Sequence, residues 1–191
     1  MGMVIISLAV GYFLGAIPFG FLISKAHGIR IFQVGSGNPG ATNVLRILGK
    51  KIGYSVFLLD AFKGCVAVYL GKLLNEPYLT LLGALLGHSF SFFTHFKGGK
   101  GVATLIGGLA FLIPIPLMLG LIVWWGIFKL THYVSLASII FAITLPCFNL
   151  LCNETSVQQK HALPLMTFAG IVVWLHRTNL KRLWLGKEHR F

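Results

Sequence analysis

Long apolar runs dominate this chain and constrain its fold more than any other feature. Hydrophobic residues make up 56% of the 191 residues and charged residues only 10%, a composition far more apolar than that of a soluble domain of this size. The chain is therefore predicted to be an all-α integral membrane protein that forms a single polytopic domain over residues 1–191. Seven transmembrane helices are predicted near residues 4–24, 52–74, 77–95, 101–114, 116–130, 133–151 and 161–175.

The fourth and fifth runs are short for a membrane that needs about 20 residues per helix. The sequence Ile-Pro-Ile-Pro at residues 113–116 lies between them. It predicts a tight hairpin, because proline cannot continue a helix. A merged or re-entrant fourth and fifth segment is the alternative that would change the number of spans.

The distribution of positive charge predicts the orientation. Sixteen lysines and arginines stand against four acidic residues, and this excess favours anionic partners such as phosphates or lipid headgroups. When loops are placed on alternate sides, one side receives thirteen cations and the other only Lys72 and Lys160. Because cytoplasmic loops are rich in Lys and Arg, the N-terminus is predicted outside and the C-terminus in the cytoplasm. The polar stretches 25–51, 95–101 and 176–191 then share the cytoplasmic face, where they can form one site.

The sequence GSGNPGATN at residues 35–43 matches a dinucleotide-binding fingerprint, but its setting does not. That fingerprint requires a strand that turns into a helix, with an acid about 20 residues later. Here the loop follows a predicted membrane span, and Asp60 falls inside the next one. A Walker A loop is excluded too, since no Gly-Lys-Ser/Thr follows.

The same loop has the composition of an anion-binding nest. Its glycines permit positive φ and are expected to leave backbone N–H groups uncovered. Arg46 follows on a short helix that Gly49 would end, and its guanidinium can clamp a phosphate. A turn that merely caps this helix is an equally weighted alternative. The candidate phosphate-binding residues are Ser36, Gly37, Asn38, Gly40, Ala41, Thr42, Asn43 and Arg46.

A second candidate stretch is GHSFSFFTHFKGGKG, residues 87–101. Two lysines bracket two glycines just before the fourth predicted span, so cations, bare backbone and a helix N-terminus converge. Simple cationic anchoring at the membrane would explain the lysines but not the glycines, and a binding site is favoured. His88 is predicted to be a buried hydrogen-bonding group, in preference to a reacting one. The candidate residues are Lys97, Gly98, Gly99, Lys100, Gly101 and Thr104.

The third stretch, HRTNLKRL at residues 176–183, lies where the seventh span reaches the cytoplasm. At helical spacing a common face is predicted for His176, Asn179 and either Arg182 or Leu183. A basic tail lying on anionic lipid is the alternative, but it does not explain His176 and Asn179.

Asp60 and Lys63 lie at i and i+3 within the second predicted span. Because intramembrane charges are costly and usually paired, they are predicted to form a structural ion pair, in preference to a catalytic role. The three cysteines lie in or beside apolar runs, and no metal site is predicted. Asp60 is the only aspartate and Ser55 stands five positions before it, so the His-Asp motif of the common glycerolipid acyltransferases is absent.

Taken together, the stretches GSGNPGATNVLR, DAFKG, GHSFSFFTHFKGGKGVAT and HRTNLKRL resemble the bacterial acyl-phosphate:glycerol-3-phosphate acyltransferases, the PlsY family. The resemblance covers essentially the whole chain. It implies transfer of a fatty acyl group from acyl phosphate to the 1-hydroxyl of sn-glycerol 3-phosphate in the bacterial plasma membrane, at a site facing the cytoplasm. Lysophosphatidic acid and inorganic phosphate would be the products, and acyl-CoA, acyl carrier protein, metals and other cofactors would not be needed.

The resemblance also suggests roles for the motif residues. The loop 36–43 is assigned to the phosphate of acyl phosphate, with Thr42 and Asn43 as side-chain donors. Glycerol 3-phosphate is assigned to Arg46, Lys97, Lys100, His176 and Asn179, of which Lys97, His176 and Asn179 are the catalytic candidates. The acceptor hydroxyl loses its proton either to His176 or to a phosphate oxygen of the donor. The donor oxygen is favoured, with His176 orienting the acceptor.

Two other functional classes fit the sequence less well. A transporter of a phosphorylated anion would place the same motifs at mid-depth between internal repeats, whereas these motifs cluster on one face and no repeat is evident. An alcohol phosphotransferase acting on CDP-linked lipids would need several Asp ligands for a divalent metal, and this chain has one.

Overall fold

The computed structural model describes residues 2–152 and 161–191, and Lys160 of the charge argument lies outside these ranges. Within them the chain is helical and contains no strand, which confirms the all-α class. Single 3-10 turns at Ile31–Gln33 and Phe92–Thr94 interrupt the connecting loops. The α-helices are α1 (Gly2–Ala16), α2 (Phe19–Ala26), α3 (Ala41–Leu48), α4 (Lys50–Leu73), α5 (Pro77–Ser89), α6 (Val102–Leu109), α7 (Pro114–Thr131), α8 (Val134–Cys152), α9 (Ala162–Leu175) and α10 (Arg177–Trp184).

Three helical segments among the described residues are long and apolar enough to cross a membrane. They are Gly2–Ala26, Pro114–Thr131 and Val134–Cys152, while α9 is apolar but shorter. The eight residues of α6 rise only about 12 Å, much less than a hydrocarbon core of roughly 30 Å. The count of seven spans and their orientation therefore stay predictions.

An outward-facing apolar stripe on α4 is the surface that lipid requires. Tyr54, Leu58, Phe62, Tyr69 and Leu73 are each more than half exposed, and their spacing puts them on one side of the helix. The opposite side of the same helix buries Asp60 and Lys63. Helix α4 thus presents an apolar stripe outward and buries Asp60 and Lys63, while the lysines near its two ends stay exposed.

Four predicted boundaries were wrong. The first run is not one continuous helix, because α1 ends at Ala16 and α2 begins after Pro18. The third run does not remain helical to residue 95, since α5 ends at Ser89. The fourth run does not remain helical to residue 114, since α6 ends at Leu109. The sequence at 113–116 is not the hairpin turn itself: Pro114 is the first residue of α7, a position that needs no backbone N–H.

The chain divides into two compact units, one up to Leu112 and one from Ile113. In the first unit, α1 and α5 pack backbone to backbone through glycines. A Cβ on Gly83 would overlap the carbonyl of Leu8, and a Cβ on Gly87 would overlap that of Tyr12. Because these pairs advance in the same direction, α1 and α5 run parallel. Small residues permit such close helix contact in membranes.

Helices α4 and α6 of the first unit pack in the same manner. The Cβ positions of Gly64 and Gly107 are blocked by the carbonyl oxygens of Thr104 and Ala61, respectively. Helix α3 ends as predicted at Gly49, whose φ of +86° is the left-handed conformation that glycine accepts easily. The loops before α3 and before α6 are thereby held on rigid helices.

The second unit contains α7 to α10. Helix α7 is joined to α8 by a short turn at His132, and the Trp124 indole nitrogen donates to the Ser138 hydroxyl at 3.1 Å. Helix α10 follows α9 almost directly, with His176 between them. The residues after α10 return to α8, where Glu188 contacts Ser135.

Candidate functional site

The glycine-rich loop is shaped by its own hydrogen bonds. Gly35 and Gly37 have φ of +59° and +70°. Asn43, only 2% exposed, accepts from the Ser36 backbone N–H at 2.9 Å and donates to the carbonyl of Val34 at 3.1 Å. The amide side chain therefore closes the loop onto the first turn of α3.

Three backbone N–H groups of the predicted anion-binding loop are already hydrogen-bonded within the loop and its flanking residues. The N–H groups of Ser36, Gly37 and Gly40 donate to Asn43, Val34 and Asn38, respectively. The expectation that the loop leaves its backbone N–H groups uncovered is wrong for these three. Asparagine side chains in turns compete for nearby backbone groups and take the N–H groups of Ser36 and Gly40. The Gly37 N–H closes a backbone turn onto Val34.

The first and second motifs touch through Asn38. Its amide nitrogen donates to the Gly98 carbonyl at 3.2 Å, and its oxygen accepts from the Gly40 N–H at 2.9 Å. Sixty residues of sequence separate Asn38 from Gly98. The structure thus brings together, within the first unit, two loops that the sequence selected independently. Ala41, Thr42 and Arg46 lie partly buried on α3 beside this contact.

The glycines of the second loop allow its backbone to lie directly against α5. Gly99 donates to the carbonyl of His88 at 3.1 Å, and a Cβ on Gly99 would overlap the His88 ring. A Cβ on Gly98 would overlap the carbonyl of His88. Gly101, with φ of +73°, is the N-cap of α6. Larger residues could not bring this loop so close to α5.

The polar side chains of the second loop divide into inward and outward groups. Lys97 is exposed and Lys100 is partly buried, whereas Thr104 is fully buried. The Thr104 hydroxyl lies 3.4 Å from the Nδ1 atom of His88. Thr104, which the sequence assigned to substrate, therefore packs against His88 inside the unit.

Asp60, Lys63 and His88 form a buried cluster beneath the second loop. Lys63 Nζ lies 2.8 Å from Asp60 Oδ1, and both side chains are 3% exposed. Nδ1 of His88 lies 3.5 Å from the same carboxylate oxygen. Lys63 also donates to the carbonyl of Ile17 at 3.0 Å, where α1 gives way to α2. The cluster therefore connects four segments of the first unit.

In the second unit, the third motif is built around Glu188. Its carboxylate accepts from Asn179 Nδ2 at 2.7 Å, from the Ser135 hydroxyl at 2.9 Å and from Arg182 Nε at 2.9 Å. Burial opposes ionisation of Glu188, but the hydrogen bonds from Asn179 and Ser135 and the charge of Arg182 outweigh it and lower the pKa below its usual value. The predicted common face of Asn179 and Arg182 is used to bind this carboxylate.

The sequence motifs did not identify Glu188 as part of this site. It follows the motif by several residues, beyond the left-handed Gly186, so no helical spacing connects the two. The available signal was its isolation, since it is the only acid in the strongly basic segment after residue 176. A lone carboxylate among cations and a buried amide is a candidate for a structural hub.

His176 is 3% exposed, and its Nδ1 lies 2.8 Å from the carbonyl of Val172. A carbonyl only accepts, so Nδ1 carries a proton, and Nε2 is an acceptor whenever the ring is neutral. His176 and Asn179 belong to the second unit, and their union with the first two motifs in one site stays a prediction. No cluster of three or more potential metal ligands occurs among residues 2–152 and 161–191.

Comparison with known proteins places these motifs in a family. The family model described as glycerol-3-phosphate acyltransferase matches residues 5–186. A glycerol-3-phosphate acyltransferase of Fusobacterium nucleatum is 41% identical over 189 residues, and the match covers 96% of each chain.

Two solved structures share the fold. A crystal structure of PlsY, described as an integral membrane glycerol 3-phosphate acyltransferase in its glycerol 3-phosphate form, superimposes with a TM-score of 0.91 at 37% identity and covers 98% of this chain and 95% of its own. The lysophosphatidic acid form gives a TM-score of 0.88 over the same shares. Sequence and fold agree over nearly the full length. The chain therefore belongs to the glycerol-3-phosphate acyltransferase family.

Proposed function

We propose that this protein transfers a fatty acyl group from acyl phosphate to the 1-hydroxyl of sn-glycerol 3-phosphate and releases lysophosphatidic acid and inorganic phosphate. The observation that carries the proposal is the hydrogen bond from Asn38 to the Gly98 carbonyl, because it joins the two loops for which we propose phosphate binding. Two adjacent loops suit a reaction in which both substrates carry a phosphate. The solved PlsY structures in glycerol 3-phosphate and lysophosphatidic acid forms support the acceptor and the product.

The glycine-rich loop is the proposed site for the phosphate of acyl phosphate. Ser36 in the loop and Thr42 in the first turn of α3 supply hydroxyl donors, and the N-terminus of α3 favours an anion. Asn43 supports this loop from below and acts on the phosphate through the loop geometry. An acyl tail attached at this point needs an apolar environment, and the apolar surface of the first unit supplies one.

Glycerol 3-phosphate is proposed to bind at the second loop. Lys97 and Lys100 flank the glycine pair, so the cations neutralise the phosphate while the glycines allow it to approach the backbone closely. Arg46, His176 and Asn179 complete the proposed acceptor site. Gly101 allows α6 to begin directly beneath the loop.

The reaction needs positioning and charge stabilisation more than a strong base. The 1-hydroxyl oxygen attacks the acyl carbon and forms the ester bond, and the bond between that carbon and the phosphate oxygen breaks. Because acyl phosphate is a mixed anhydride, phosphate leaves readily once donors stabilise its charge and that of the tetrahedral intermediate. The hydroxyl proton passes to a phosphate oxygen of the donor. Holding the two substrates together supplies much of the rate.

His176 is proposed to orient the acceptor hydroxyl. Its Nδ1 proton is directed at the Val172 carbonyl, which makes Nε2 the nitrogen suited to accept a hydrogen bond from a hydroxyl. If the donor phosphate takes the proton, His176→Gln should retain a measurable rate. A His176→Gln protein that binds both substrates but is inactive would instead identify His176 as the base.

The proposed location is the bacterial plasma membrane, with the site facing the cytoplasm. The excess of cations in the loops that carry the three motifs supports this orientation. Acyl phosphate and lysophosphatidic acid are both amphiphiles. A site at the membrane surface lets their tails remain in lipid throughout the reaction.

Phosphate release by the purified protein tests the proposal. Palmitoyl phosphate is supplied with and without glycerol 3-phosphate, and palmitoyl-CoA serves as the alternative donor. Release should require the acceptor, should not occur from palmitoyl-CoA, and should be lost in Arg46→Ala but not in Arg30→Ala, an exposed arginine before the same loop. Binding of glycerol 3-phosphate without any release would contradict the transferase reaction and favour transport.

A further inference from the structure

The ring of His88 is wedged between a buried carboxylate and the second loop. On one side, its Nδ1 atom faces Asp60 Oδ1 at 3.5 Å and the Thr104 hydroxyl at 3.4 Å. On the other side, its Nε2 atom faces Gly99 so closely that a Cβ on Gly99 would overlap it. The His88 side chain is only 8% exposed. The position of the ring therefore determines how closely the glycine pair approaches α5.

The backbone of His88 holds the same glycines. Its carbonyl accepts the Gly99 N–H at 3.1 Å and also occupies the space that a Cβ on Gly98 would need. One residue of α5 thus fixes the loop twice, by its main chain and by its ring. A helix is rigid, so this attachment gives the loop a defined height above the bundle.

Asp60 has a contact that charge neutralisation alone does not require. Lys63 lies 2.8 Å from the carboxylate and already balances its charge. A buried ion pair is costly and is often replaceable by apolar residues. The additional approach of His88 to Asp60 orients an imidazole, as carboxylates that contact the distal nitrogen of a functional histidine do.

We infer that Asp60 and His88 are positioning residues for acceptor binding: Asp60 fixes the orientation of the His88 ring, and the ring fixes the Gly98–Gly99 segment between Lys97 and Lys100. The inference rests on the proposed function, in which this loop binds glycerol 3-phosphate. Neither residue contacts the substrate in this arrangement. Their effect is expected on acceptor affinity, with little effect on the acyl donor.

The experiment measures binding of glycerol 3-phosphate to purified protein by titration calorimetry, without any acyl donor. His88→Phe keeps a ring but removes both nitrogens, and should weaken glycerol 3-phosphate binding at least tenfold. His88→Asn restores a polar group near Nδ1 and should recover part of that affinity. His27→Phe is the matched control, because His27 is exposed and bonds only within its own helix turn, to Ile23.

A double-mutant cycle tests the role of Asp60. Asp60→Asn alone leaves Lys63 without its charged partner, so Asp60→Asn is combined with Lys63→Met to remove both charges. If Asp60 acts through His88, adding His88→Phe to this pair should weaken binding by less than twofold more. Independent tenfold losses would overturn the coupling of Asp60 to His88.

Kinetic data separate positioning from general destabilisation. Positioning predicts that His88→Phe raises the KM for glycerol 3-phosphate and leaves the KM for palmitoyl phosphate within twofold of wild type. Equal losses for both substrates, accompanied by a lower unfolding temperature, would overturn the inference. If wild-type protein binds glycerol 3-phosphate but releases no phosphate from palmitoyl phosphate, the proposed donor fails, and the calorimetric result still decides the role of His88.

Discussion

The glycine-rich loop and the third motif are each organised by one side chain, but the two side chains differ in charge. Asn43, a neutral amide, bonds the Ser36 N–H and the Val34 carbonyl. Glu188, a carboxylate, collects Ser135, Asn179 and Arg182. A neutral hub holds its loop at any pH, whereas a charged hub holds its partners only while it is ionised.

This difference also affects what happens when each hub is removed. Loss of Asn43 leaves backbone groups that water can reach through the partly buried loop. Loss of Glu188 removes an acceptor that the Arg182 guanidinium and the buried Asn179 amide share. Buried polar groups without partners cost more than the bond that was removed.

The largest effect is expected for Glu188→Ala. Asn179 and Ser135 would lose their shared acceptor, and removal of a hydrogen-bond partner from a buried polar group costs about 1–3 kcal/mol. Since Asn179 is a proposed acceptor ligand, activity should fall about a hundredfold and the unfolding temperature should drop. Phosphate release and thermal unfolding of the purified protein measure both effects.

The control for that experiment is Glu76→Ala. Glu76 precedes α5, and its side chain makes no capping hydrogen bond, so its removal should change neither quantity. Wild-type activity and stability in Glu188→Ala would show that Glu188 does not organise the third motif. The comparison between a charged and a neutral hub would then fail.

Asn43→Ala is expected to have the next largest effect. The Ser36 N–H and the Val34 carbonyl lose one partner, and the loop can relax away from α3. The KM for palmitoyl phosphate should rise about ten- to thirtyfold. The ratio of the mutant KM to the wild-type KM should not depend on pH between about 5 and 8. Gln33→Ala, at an exposed amide just before the loop, should behave as wild type. A ratio that varies with pH would contradict a neutral hub.

The long apolar helices were the most predictable part of this protein. The runs near 52–74 and 133–151 correspond closely to α4 and α8, because length and hydrophobicity suffice where lipid replaces the core. The end of α5 was not predictable in this way. Residues 90–95 contain three phenylalanines and no Asp, Glu, Lys or Arg, so their composition permits a membrane helix. In the structure His95 and Phe96 adopt positive φ and the chain turns there.

The candidate site was predictable in its residue types but not in its internal hydrogen bonds. Glycines and cations identified both loops, because anion binding needs bare backbone and positive charge. The hub roles of Asn43 and Glu188 depend on contacts between distant positions, such as Glu188 with Ser135. Thr104 illustrates the same limit. Its position beside the loop predicted substrate contact, whereas its contact with His88 depends on the packing of α5 against α6, which the sequence does not show.

A smaller effect, on the unfolding temperature, is expected when the pH is lowered. The folded pKa of Glu188 lies below its ordinary value, so ionised Glu188 stabilises the fold above roughly pH 4.5, and that stabilisation is lost as the pH falls through the folded pKa. Glu188→Gln should therefore lower the unfolding temperature at pH 7, and the difference from wild type should shrink on acidification towards about pH 3. A difference that is constant over this range would contradict the ionised hub.

The smallest effect is expected for Asn38→Ala, because Asn38 joins two loops that are each held by other contacts. One partly buried amide bond to the Gly98 carbonyl is lost, worth about 0.5–1.5 kcal/mol. Since that bond connects the proposed donor and acceptor loops, the KM values for palmitoyl phosphate and glycerol 3-phosphate should rise together, by about three- to tenfold. Asn43→Ala should affect mainly the donor, and His88→Phe mainly the acceptor. A change confined to one substrate in Asn38→Ala would show that the two loops act independently despite their contact.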